Sequence, residues 1–73
     1  MWIIKKSDYI EGYTDLMFAC KTEMTAKNIV NLFQNAQKNA RKFGKAQSVN
    51  IENVTYEIRT GSDFSYEEVP VLN

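Results

Sequence analysis

Seventy-three residues with a single cysteine, no histidine and nine basic against nine acidic residues leave room for one domain without a disulfide. The missing histidine removes the usual neutral-pH base, a zinc site lacks its close-spaced ligands, and the three glycines stand too far apart for a phosphate loop, so neither catalysis, a metal nor a cofactor is expected. The longest apolar run, Leu16 to Cys20, is far short of a membrane span, and the opening Met1-Trp2-Ile3-Ile4-Lys5-Lys6 has the wrong order for a secretory leader, so a cytoplasmic chain away from membranes is expected.

The bulky β-branched run at 2–6 reads as a strand. Ser7 to Asp15 is polar, holds Gly12, Tyr9 and Tyr13, and reads as the connection of a long hairpin. Leu16 to Thr22 is then the returning strand. Alternation would send Leu16, Phe18 and Cys20 one way and Met17 and Ala19 the other.

A helix is predicted over 26–43, where Ile29, Phe33, Ala36, Ala40 and Phe43 step by four and three. Thr25 is placed as its N-cap, with Met24 and Ile29 as a hydrophobic staple. Gly44 supplies the left-handed C-terminal cap, and Arg41 and Lys42 suit the negative end of the helix dipole.

Beyond the helix, Val49 and Ile51 alternate, then Val54, Tyr56 and Ile58 alternate in the opposite phase, so a bulge or tight bend is predicted at Glu52-Asn53. The sequon Asn53-Val54-Thr55 falls in that strand and reads as chance. Residues 60–63 form a turn. The tail could add one more strand, with Pro70 confining it to an edge. The whole is an α+β domain spanning 1–73: a small antiparallel sheet of three to four strands, one amphipathic helix on one face, in the order β-β-α-β with a fourth C-terminal strand left open.

Two binding surfaces emerge. The first two strands carry apolar residues on both faces, which a sheet covered on one side only does not need. With the acidic-aromatic tail they suggest a non-catalytic protein-binding module, an inhibitor or modulator of a larger host protein acting by occlusion through Tyr9, Tyr13, Met17, Phe64, Tyr66, Glu67 and Glu68. An Asn- and Lys-rich short chain is common among accessory proteins of phages and other mobile elements, which is a compositional association only. The alternative is a nucleic-acid-binding domain, as a homodimer, using the outward helix face. There Lys27, Asn31, Lys38, Arg41, Lys42 and Lys45 gather, and no acidic residue occurs from Met24 to Gln47.

Overall fold

The computed structural model describes residues 1–8, 12 and 14–71. Tyr9 and Tyr13 therefore lie outside the described residues. Its elements are β1 (Trp2–Asp8), β2 (Thr14–Cys20), α1 (Glu23–Phe43), β3 (Gln47–Ile51), β4 (Val54–Ile58) and β5 (Ser62–Glu68). This is the α+β arrangement expected, with one helix on antiparallel sheet. The sheet comes in two parts, a three-stranded one ordered β2-β1-β5 and the hairpin β3-β4.

The bend at Glu52-Asn53 is a two-residue turn. Both residues have positive φ, 52° and 69°, as the tight hairpin turn matching strand twist requires. It pairs Ile51 with Val54 and Val49 with Tyr56, which puts the two alternating runs on one face. The tail does form a strand. β5 lies antiparallel to β1 as an edge, and reciprocal hydrogen bonds between Met1 and Val69 close the ladder just before Pro70. Proline, lacking an N–H, follows the last bonded residue.

The returning strand departs from simple alternation. Its register against β1 shifts between Ile4 and Lys5: Ile4 faces Phe18, yet Lys5 faces Leu16, so Met17 is the extra residue of a bulge. Phe18 and Cys20 keep their place beside buried Ile4. Leu16 is turned to the opposite face, where it is 65% exposed, and Met17 packs partly against the core.

The helix starts one turn before the predicted residue. Thr22, with extended backbone, is the N-cap, and its Oγ1 accepts the N–H of Thr25 at 3.3 Å. Thr25 instead takes a hydroxyl bond from Thr22 inside the first turn. The other end is as predicted: Gly44 adopts φ 69°, and its N–H and that of Lys45 both reach the Ala40 carbonyl.

The buried stripe runs through Ala26, Val30, Phe33, Ala36, Gln37 and Ala40, so Phe33, Ala36 and Ala40 of the predicted stripe are buried while Ile29 and Phe43 lie at its margin. Ile29 is half-buried and Phe43 exposed. Phe33, fully buried, centres the core, with ring centroids 5.0 Å from Phe64, 5.5 Å from Tyr56 and 6.2 Å from Phe18. The turn at 60–63 is shorter than predicted, because Ser62 already belongs to β5 and is buried.

Candidate functional site

The cationic helix face follows from the way α1 is seated. Steps of three and four put one stripe against the sheets and the opposite arc in solvent. Gln34 fixes the roll of the helix by donating from Nε2 to the Phe64 carbonyl at 3.3 Å. Arg41 does the same further along, with Nε donating to the Thr60 carbonyl at 3.4 Å, a bond that uses one of its five donors. Lys27, Asn31, Lys38, Arg41, Lys42 and Lys45 are all exposed. Lys27, Asn31, Lys38 and Lys42 form a line down one side of the helix, about 22 Å long at 1.5 Å per residue.

No carboxylate belongs to the chain between Glu23 and Glu52. Among the described residues the ion pairs are Lys5–Glu67 and Arg59–Glu57, each at 3.2 Å, and neither involves a cation of α1. Five of the nine basic residues thus lie from Lys27 to Lys45, and all nine acidic residues lie elsewhere. A net charge of zero conceals a molecule with one positive face. Such a face concentrates anions within about a Debye length, roughly 8 Å at physiological salt.

Among the described residues, those nominated for protein binding do not come together on one exposed surface. Phe64 is 3% exposed and stacked on Phe33, so its ring belongs to the core and is withheld from any partner. Apolar side chains in an edge strand are drawn inward when the helix offers them cover, and that is the physical reason the tail is not a free docking segment. Met17 and Tyr66 are half-buried against the same core, with Tyr66 also 5.7 Å from the Trp2 ring. Glu67 is on the other face, where its carboxylate pairs with Lys5. Glu68 is exposed at the end of β5. Tyr9 and Tyr13 lie outside the described residues.

A groove that sequence reasoning missed lies between the end of β2, the start of α1 and the hairpin tip. It has a volume of about 350 Å³. Four consecutive residues, Phe18 to Lys21, line one side. Because strand neighbours point to opposite faces, a space touching all four runs along the strand's edge. Thr25, Ile29, Ile51, Glu52, Val54 and Tyr56 line the rest. β2 has β1 on one side only, so its outer backbone groups carry no strand partner in the sheet. The only sequence signal for this groove was the apolar run Leu16 to Cys20.

Cys20 opens onto the same groove and is itself buried. Burial pushes its thiol above the ordinary value, and the nearby Glu52 carboxylate adds to the effect, so the reactive thiolate is disfavoured. Among the described residues no three acidic, cysteine or histidine side chains gather as a metal site, and no helix is long and apolar enough to cross a membrane. Compared with protein-family models, with curated proteins and with solved structures, the chain matches none.

Proposed function

We propose that this chain is a small non-catalytic binding domain that engages nucleic acid through the outward face of α1. The observation that carries the reading is the line of Lys27, Asn31, Lys38 and Lys42, exposed, without ion pairs among the described residues, and set on the chain's longest element. Lysine and arginine neutralise phosphates and release counterions, and asparagine offers both a donor and an acceptor to a base edge.

Salt dependence tests it. If all five cations contact phosphate, log affinity falls with log salt at a slope of about −3.5 on a single strand or −4.5 on duplex. Between 50 and 200 mM salt that is a loss of roughly a hundredfold or more. Replacing Lys38, Arg41 and Lys42 by Ala flattens the slope to about two fifths of its native value. Salt-insensitive affinity, or no binding at 50 mM salt, overturns the proposal.

A second reading, a protein-binding module, is favoured by the groove beside the unpaired edge of β2. An extended peptide segment adding to that edge would gain main-chain hydrogen bonds while one of its side chains fills the groove. Ala19 and Val54 line the groove and are exposed, so A19K and V54K block it at little cost to the fold. A protein retained from nuclease-treated lysate by the native chain and lost by both variants supports this reading. Equal retention by all three removes the groove from consideration.

A further inference from the structure

Phe43 takes no part in the hydrophobic core. It ends α1 and is 59% exposed, and among the described residues every other aromatic ring is buried or half-buried. The Nζ of Lys42, the last member of the cationic line, sits over its ring at 5.6 Å, while Arg41 and Lys45 are near in the chain and add to the local positive charge. Asn39 and Asn35, both exposed, precede it on the same side of the helix. The helix C-terminus contributes about half a negative charge, against three full positive charges from Arg41, Lys42 and Lys45, so the neighbourhood attracts anions in spite of the dipole.

An exposed apolar ring beside a line of cations, joined to it here by Lys42, is the arrangement that binds unstacked bases. The cations hold the phosphates while the ring takes a base face, and amides alongside reach base edges. Duplex offers such a ring nothing to stack on, because its base faces are already covered by one another. We propose that the ligand of the α1 face is single-stranded nucleic acid, and that Phe43 is the platform on which one of its bases stacks. This inference rests on the nucleic-acid reading above and narrows it.

The test is fluorescence anisotropy with a labelled oligothymidylate of about fifteen nucleotides, a hairpin duplex of equal length and a poly-glutamate peptide as probes. The native chain is expected to prefer the single strand to both. Phe43→Ala weakens single-strand binding by roughly 5- to 150-fold with the salt slope unchanged, and Phe43→Tyr restores it. Because the ring is exposed, both variants are expected to keep the native melting temperature, which is measured alongside. Duplex binding as tight as single-strand binding, with Phe43→Ala silent, overturns the stacking platform and leaves the helix-face reading standing. Poly-glutamate binding as tight as the oligonucleotide overturns the platform in favour of an acidic protein. No binding of either nucleic acid overturns both readings together.

Discussion

Gln37 occupies the middle of the buried stripe of α1, between Phe33 and Ala40, and is 8% exposed. Its Nε2 has no hydrogen-bond partner among the described residues. A buried donor left unmet costs about 1–3 kcal/mol, because the water it surrendered is not replaced. Methionine has a similar length, no branch, a comparable helix propensity and no donor. Gln37→Met is therefore expected to stabilise the domain by about 1–3 kcal/mol. With an unfolding entropy near 2.1 cal/mol/K per residue, a chain of this length gains about 6 °C in Tm per kcal/mol. The expected rise is about 6–20 °C. Urea unfolding followed by helical circular dichroism checks it, with the midpoint moving and the slope m unchanged. Asn39→Met, on the exposed side of the same helix, serves as control and should shift stability by less than about 0.5 kcal/mol. A Gln37→Met midpoint equal to or below the native one refutes the reasoning, since it means the amide is satisfied where it sits.

Gly44→Ala should cost about 1 kcal/mol. A Cβ there meets nothing within 4 Å, so the loss comes from the positive φ alone, and Gly44→Asn should recover much of it in the same melt. Glu52 also holds a positive φ, which glutamate tolerates poorly, so Glu52→Asn should stabilise the hairpin by a few tenths to about 1 kcal/mol in urea titration. The Cys20 thiol is held above its ordinary value by burial first and Glu52 second, so the fold favours the neutral thiol. That contribution is fully present below the unfolded value of 9.0 and is lost as pH rises beyond it. Native protein should accordingly alkylate slowly at pH 8 and lose more stability between pH 8 and 10 than Cys20→Ala does.

Much of this architecture can be read directly in the residues, and the exceptions have physical causes. Gly44 marks the helix end because few other residues accept a left-handed backbone. The start is ambiguous because Thr22 and Thr25 stand three apart, and either hydroxyl suits an N-cap. The middle of the stripe, Phe33, Ala36 and Ala40, is where the pattern put it, but Ile29 and Phe43 give way to Ala26, Val30 and polar Gln37, a choice that local pattern cannot foresee. The bulge at Met17 is invisible in a run of five apolar residues that carries no alternation. The phase reversal at Glu52-Asn53 pointed straight to its turn. The separation of the hairpin from the main sheet depends on long-range packing and left no local mark.

The two candidate surfaces divide in the same way. The cationic face is written on a single helix, so 100° per residue is enough to assemble it. The protein-binding set drew on residues from three segments whose register was unknown, and the core claimed Phe64. The groove needs β2, α1 and the hairpin tip in their final places before it exists at all.

The most direct test of the central claim is an amide chemical-shift titration of isotope-labelled protein with unlabelled oligothymidylate at low salt. The account predicts shifts concentrated from Lys27 to Lys45, largest around Lys42, Phe43 and Lys45, and reversed by added salt. Shifts confined to Phe18–Lys21 and the hairpin tip, or none at any ratio, would contradict it.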